Sequence, residues 1–370
     1  MIIRQQHYQQ KLALSSLSAS SFSSSFSLRL SSSDSSPSSD NNSSSSTSSS
    51  SSFRNHLLLP INSDLATNKD TNNGGQLQLL KNHFFALRHG ESLANVAGVI
   101  ASNPNIACSN YGLSDVGKKQ AKEAGKTLID AYLNATQQPT STTTTSTETE
   151  TSDDDSSSQS QSPTGIVIVS SDLLRAKETA QIVADTIKLY NDNTININNE
   201  REDCHRPRIP LLVRNNDDEN NNNVPSTSTS SSITIDIRLR ERGFGDWDGG
   251  NDIHYHDVWK DDAIDPYHTK NNVESVWSVI DRSTRCVIDW DNVQKSGENL
   301  VGVHCDDNNK ENKNEHEHEN QQQHGEYYWI ICVAHGDVLQ ILQTAFNKNI
   351  DPSQHRSIQH LETATLRSLL

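Results

Sequence analysis

Four runs of almost purely polar residues cut this chain apart, and they constrain its fold more than any other feature. Residues 15–52 are dominated by Ser, 137–162 by Thr, Ser, Asp and Gln, 191–232 by Asn and Ser, and 294–326 by Asn, Glu, His and Gln. Such stretches bury too little apolar surface to offset the entropy of ordering a backbone, so disorder is expected of them. They also account for a hydrophobic share of only 32%, below that of ordinary globular chains. What remains are blocks near 80–135, 163–190, 233–292 and 327–370, together roughly 190 residues, the size of one domain. The chain therefore reads as a disordered segment over 1–75 and a single domain over 76–370. Insertions near 137–162, 191–232 and 294–326 interrupt that domain, as surface loops permit at small entropic cost.

The net charge of −16 argues against a nucleic-acid partner. Many of the acids sit in the insertions, such as Asp153 to Asp155 and Glu311 to Glu319. Their field is screened within about 8 Å at physiological salt, which leaves room for a local cationic pocket. No apolar run is long enough to span a bilayer, so no membrane partner is expected. The five cysteines are scattered, odd in number and free of any CxxC spacing, which points to a reduced, intracellular setting. The first 33 residues hold Arg4, Lys11 and Arg29, many serines and no acid. That is the composition of an organelle transit peptide, which low-complexity sequence also mimics, so cytoplasm, plastid and mitochondrion all stay open.

Within the apolar blocks, strand and helix patterns alternate. FFALR (84–88) is an apolar, aromatic-led run ended by a His-Gly turn, and it reads as a buried strand. The following GLSDVGKKQAKEAGKTLIDAYL places Ala121, Ala124, Leu128 and Tyr132 at helical spacing, with Ser114 as N-cap. GIVIVSS (165–171) is a second buried strand, and a helix after it aligns Leu173, Ala176, Ala180, Val183 and Ile187. ITIDIRLRER reads as an alternating strand leading into a glycine-broken loop, and VESVWSVIDRSTRCVIDW as a helix with Val276, Val279, Ser283, Val287 and Trp290 on one face. WIICVAHGDVLQILQTAF gives a last strand, turn and helix. The predicted fold is α/β, a three-layer α/β/α sandwich on a mostly parallel sheet.

ICVAHGD repeats the design of FALRHGE: apolar strand, His-Gly, acid. Ligands of such sheets bind at the carboxyl ends of the strands, so His89 and His335 are expected side by side at one edge. Arg175, on the first turn of a helix that follows another buried strand, faces the same edge. Arg88, His89, Arg175 and His335 then supply two guanidinium forks and two imidazoles, a set suited to phosphoryl transfer. Guanidinium planes match phosphate oxygens bidentately and stabilise charge spread over them. A neutral histidine can be the nucleophile, its pKa lowered by neighbouring cations. This chemistry needs no metal and no cofactor. A carboxylic acid must protonate the leaving alcohol; Glu241 is the candidate and Glu91 the alternative.

FALRHGESLAN, SSDLLRAKETA, LRERGFGDWDGG, VESV with Arg282 further on, and VAHGD resemble the successive signatures of the histidine phosphatase superfamily. The likeness is to the branch of cofactor-dependent phosphoglycerate mutase and its broad-specificity phosphatase relatives. The resemblance covers the four blocks in order and omits the low-complexity tracts. It implies a phosphoglycerate mutase-like fold and a histidine acid-type phosphatase, a phosphoric monoester hydrolase acting on a small phosphorylated substrate. It makes His89 the phosphorylated nucleophile, Arg88, Arg175 and His335 phosphate ligands, and Glu241 the proton donor. Asn95 falls where a phosphate-contacting asparagine is expected, and Gly336 or Asp337 where a backbone contact is. Glu274-Ser275 match a helix-start signature of structural role. The mutase-like pattern carries a tryptophan before the asparagine, whereas this chain has SLANVAG, so a phosphatase is expected ahead of a mutase. A catalytically silent phosphoester-binding scaffold is the third reading, though no main site residue is missing. The sequence assigns no oligomeric state.

Other features carry bland readings. His316, His318 and His324 invite a metal site but lie in a Gln/Asn/Glu tract with nothing to fix ligand geometry, so a solvated loop is expected. Trp247 and Trp259 read as packing near the pocket mouth. Strand alternation sends Arg238, Arg240 and Arg242 to one face, and Cys332 reads as inert core.

Overall fold

The computed structural model describes residues 56–58, 77–137, 162–200, 206–214, 232–293, 300–303, 326–347 and 349–369. In chain order the elements are β1 (His56–Leu58), β2 (Leu77–Leu79), β3 (His83–Arg88), α1 (Leu93–Ala97), α2 (Pro104–Ala107) and α3 (Asp115–Thr136). Next come β4 (Gly165–Ser170), α4 (Leu174–Glu200), β5 (Leu211–Arg214), β6 (Thr234–Ile235), α5 (Tyr255–Ile264) and α6 (Val276–Asp291). The last are β7 (Leu300–Gly302), β8 (Tyr328–Ala334), α7 (Gly336–Phe346) and β9 (Leu366–Ser368).

The central strands are apolar on both faces because helices cover both faces. Along β3, β4 and β8, Phe84, Ala86, Val167, Val169, Ile330 and Cys332 join Val287 and Trp290 of α6 and Leu339 and Leu342 of α7. The alternate residues Leu87, Ile166, Ile168, Ile331 and Val333 join Leu128 of α3 and Ala180, Val183 and Ile187 of α4. The result is the α/β/α sandwich expected from the sequence. The sheet order is β7-β5-β4-β8-β3-β9, with β6 also on β4. The β3–β8, β8–β4, β4–β5 and β4–β6 pairs are parallel, and β9 and β7 are antiparallel edges. Ser114 caps α3 by accepting from the Gly117 N–H at 3.0 Å, and the predicted stripes of α3, α4 and α6 are all buried.

Three local readings need correction. First, tracts read as polar insertion or disorder carry structure: α4 continues through 191–200, β5 lies within 191–232, β7 within 294–326, and β1, inside 1–75, pairs with β2. Tertiary hydrogen bonding explains the first of these. The buried Asn191 amide donates to the Ile209 carbonyl and accepts from the Ile209 N–H, both at 2.9 Å, so a side chain stands in as a strand partner. Second, the strand opening ITIDIRLRER stops after two residues. The Asp236 carboxylate accepts from the Arg238 N–H at 3.0 Å and caps a 3-10 turn over Ile237–Leu239. Third, the arginines beyond it therefore diverge instead of sharing a face. Arg238 pairs with Asp236 and Asp289, and Arg240 with Asp172 at 2.6 Å. Arg242 is fully buried and donates to both Asp262 oxygens at 2.7 Å. His316, His318 and His324 lie outside the described residues.

The turn after β3 is seated backbone to backbone on the start of α3. A Cβ on Gly90 would stand 2.5 Å from the Gly117 oxygen, and one on Gly117 would stand 2.0 Å from the Glu91 oxygen. That approach needs glycine on both sides, and it fixes where the residue between Arg88 and Gly90 points.

Candidate active site

Register places the two histidines. Arg88 lies opposite Ala334 in the parallel β3–β8 pair, so the residues that follow, His89 and His335, leave the same edge together. Their ring centroids are 5.1 Å apart, and the His89 N–H donates to the Ala334 carbonyl at 3.0 Å. On the other side of β8, β4 ends at Ser170 opposite Val333. Ser171 then meets the His335 Nε2 at 3.0 Å, and α4 begins, bringing Arg175 to the same place.

The tautomer of His89 follows from its partners. Nδ1 is 2.7 Å from the Gly90 carbonyl, which only accepts, so Nδ1 carries the hydrogen and Nε2 the lone pair. Arg175 Nε donates to that Nε2 at 3.1 Å. Burial, then the charges of Arg175 and Arg88, hold the ring well below the usual histidine range. At neutral pH it is an uncharged imidazole with one fixed basic nitrogen. His335, fully buried, is likewise held well below by burial and then Arg175. Its Nδ1 is buried with no partner among the described residues.

Two guanidinium N–H groups are also buried without a partner there, Arg88 Nε and Arg175 Nη1. Leaving charged donors dry and unpaired is costly, and an anion placed among them would satisfy both. They border a cavity of about 220 Å³ whose wall includes Arg88, His89, Asn95, Arg175, Glu241 and Gly336. His335, expected as a phosphate ligand, packs beside His89 and is not on the wall. Gly336 allows the guanidinium to lie against the backbone, since a Cβ there would meet Arg88 Cζ and Nε at 3.3 Å. It also opens α7, so the positive end of that helix adds to the wall.

Glu241 is the acid on this wall. Burial pushes its carboxyl up to about 7 against the pull of Arg175, with Asp337 adding to the rise. The segments on either side are anchored by ions, Arg240 to Asp172 and Arg242 to Asp262 and Asp337. Glu91, the alternative acid, is not on the wall; it accepts from the Ser114 hydroxyl at 2.7 Å. Asn95 is on the wall, yet its Oδ1 is committed to the Ser92 N–H and hydroxyl at 3.0 and 2.8 Å, capping α1. Trp259 also reaches the wall, whereas Trp247 stacks on His254 with centroids 4.1 Å apart.

Sequence reasoning passed over Tyr255, Asp252, Arg356 and His360, which complete the cavity. Arg356 lies 3.6 Å over the Trp259 ring, and Trp259 Nε1 donates to Asp337 at 2.9 Å. Arg356 and His360 come from a polar stretch whose sequence has no periodicity to betray it. Among the described residues no cluster of three or more His, Cys, Asp or Glu is placed to hold a metal.

No family model matches the chain, and no curated protein sequence matches it. Among solved structures it is similar to a mycobacterial glucosyl-3-phosphoglycerate phosphatase, with 16% identity and a TM-score of 0.40 over 77% of this chain and 88% of that one. It is similar also to YhfR of Bacillus stearothermophilus, with 18% identity and a TM-score of 0.39 over 77% and 89%.

Proposed function

We propose that this cavity hydrolyses phosphomonoesters through a phosphohistidine on His89. The observation that carries the reading is the pairing of a neutral, tautomer-fixed imidazole with two buried, unpartnered guanidinium donors around one small cavity. The five motifs shared with the histidine phosphatase superfamily support the same conclusion.

On this reading Arg88 and Arg175 grip the equatorial phosphate oxygens, with the α7 N-terminus at Gly336 as a further donor. As substrate enters, Arg175 Nε passes from the imidazole lone pair to a phosphate oxygen. His89 Nε2 then bonds to phosphorus while the bond to the ester oxygen breaks, and protonated Glu241 gives its proton to the departing alkoxide. In the second half, Glu241, now ionised, takes a proton from water. The resulting hydroxide bonds to phosphorus, the P–N bond breaks, and neutral His89 and orthophosphate result. Asn95 would contribute its amide N–H groups, its oxygen being held by the cap.

Phosphate release from an aryl phosphate, with His89→Ala as control, tests the proposal. Release lost in the variant is the expected result, and release unchanged by it refutes the role of His89. Incubating 3-phosphoglycerate with and without 2,3-bisphosphoglycerate separates hydrolysis from isomerisation; hydrolysis is expected.

A further inference from the structure

We infer that His360 is a positioning residue that fixes which edge of the Arg88 guanidinium meets the transferring phosphoryl group. The inference rests on the phosphatase reading and adds to it a residue that touches neither phosphate nor nucleophile.

Arg88 Nη1 carries two hydrogens, and both are used by the segment before β9. One goes to His360 Nε2 at 2.7 Å and the other to the Leu361 carbonyl at 2.9 Å. Since an arginine N–H only donates, His360 Nε2 is an acceptor, and its ring hydrogen is on Nδ1. With Nη1 occupied, the edge formed by Nε and Nη2 is the one left over. Nε is the buried nitrogen without a partner, and the absent side chain of Gly336 gives this edge its passage against α7. That edge presents two parallel N–H groups, the geometry that suits two phosphate oxygens. Without the bracket the guanidinium can turn about its last torsions and offer a single N–H.

The bracket is itself held. Arg367 of β9 donates to the Gln359 and His360 carbonyls at 2.7 and 3.1 Å, and also to the Gln343 side chain of α7 at 3.0 Å. Gln340 of the same helix donates to the Ile358 carbonyl at 2.6 Å. The acceptors for Arg88 are therefore fixed by backbone contacts, and only the imidazole itself is exchangeable. His360 is exposed at the cavity mouth, so its replacement leaves the core intact.

The test measures steady-state hydrolysis of p-nitrophenyl phosphate by the full chain carrying His360→Ala, His360→Gln or Arg88→Lys, and by the Ala change combined with Arg88→Lys. His360→Ala is expected to lower kcat/KM about tenfold, with a rise in KM and an unchanged melting temperature, because misplacing one clamp by a fraction of an ångström has effects of this size. The Gln variant, whose amide oxygen replaces the imidazole acceptor, should recover most of the loss. In the Arg88→Lys background, which has no fork to orient, the Ala change should add nothing further. Wild-type kinetics in His360→Ala, a Gln variant as impaired as Ala, or a full additional loss on top of Arg88→Lys would each overturn the inference while leaving the phosphatase reading standing. A wild-type chain that releases no phosphate from the ester and binds no inorganic phosphate would instead overturn that reading, and this inference with it.

Discussion

Arg175 Nε donates to His89 Nε2 at 3.1 Å, so the lone pair exposed by the fixed tautomer is held by the same side chain that awaits an anion with its unpartnered Nη1. In the proposed mechanism one guanidinium thus guards the nucleophile and prepares the phosphate site. Lysine offers a point charge and no fork. Arg175→Lys is therefore expected to lower kcat/KM on an aryl phosphate at least about 100-fold, the scale of losing a preorganised donor pair. The binding of inorganic phosphate, read by calorimetry, should weaken in parallel. A lysine variant of near-native activity would contradict this.

Glu241 supplies a pH signature. With its carboxyl at about 7, it is protonated and able to donate below that value and is lost as a donor above it. Hydrolysis should fall on the basic side near pH 7, and Glu241→Gln should remove that limb. The variant should also slow phosphorylation of the enzyme by alkyl phosphates about 100-fold or more, the usual scale of general acid catalysis, and phosphorylation by p-nitrophenyl phosphate, read as a burst of nitrophenol, far less, because its leaving group needs little protonation.

The same carboxyl affects stability with a definite sign. Its folded pKa is raised above the ordinary 4.5, so the fold loses stability as pH rises from about 4.5 through about 7, where only the unfolded chain ionises freely. The full effect is roughly 3 kcal/mol. Glu241→Gln should accordingly stabilise the protein at pH 8 and have little effect at pH 4. Denaturant midpoints at the two pH values check this, and equal effects at both would contradict it.

Arg242 is fully buried between Asp262 and Asp337. Removing it takes the buried guanidinium from two interior carboxylates, leaving chiefly the His268 ring for Asp262, at 2.8 Å, and the Trp259 N–H for Asp337, at 2.9 Å, and Arg242→Ala should cost about 3–5 kcal/mol by denaturant unfolding. Since the pair also anchors the chain beside Glu241 and beside His335, a loss under about 1 kcal/mol, the worth of a surface ion pair, would show that the cluster is solvated.

Gly336→Ala probes the seat of Arg88. The new Cβ would meet the guanidinium at 3.3 Å, displacing the proposed phosphate ligand while favouring the helix it begins. The expected outcome is a KM raised about tenfold with an unchanged or slightly higher melting temperature. An unchanged KM would contradict the placement.

Much of this arrangement was legible in the sequence, for reasons that differ by residue. His89 and His335 could be placed because two long apolar strands, each ended by His-Gly, have nowhere to go but the middle of a parallel sheet. Arg175 followed from its position one turn past a third such strand. Glu241 was visible as an acid on a glycine-rich loop, but the burial that sets its pKa was not. Arg242 was misplaced because alternation was carried through Asp236, whose carboxylate ends the strand by capping the turn after it. The helix over 191–200 was hidden by composition, since its anchor is a tertiary hydrogen-bond pair from Asn191. Arg356 and His360 left no local mark at all. They reach the cavity only through the turn that links α7 to the antiparallel strand β9.

The most direct measurement quenches the full chain in base during turnover of p-nitrophenyl phosphate and maps phosphorylated peptides by mass. The account predicts a single acid-labile, base-stable phosphoryl group on the peptide containing His89, absent from His89→Ala and accumulating when Glu241→Gln slows its discharge by water. Turnover with no phosphoryl group on the chain, or with one on a different residue, would contradict it.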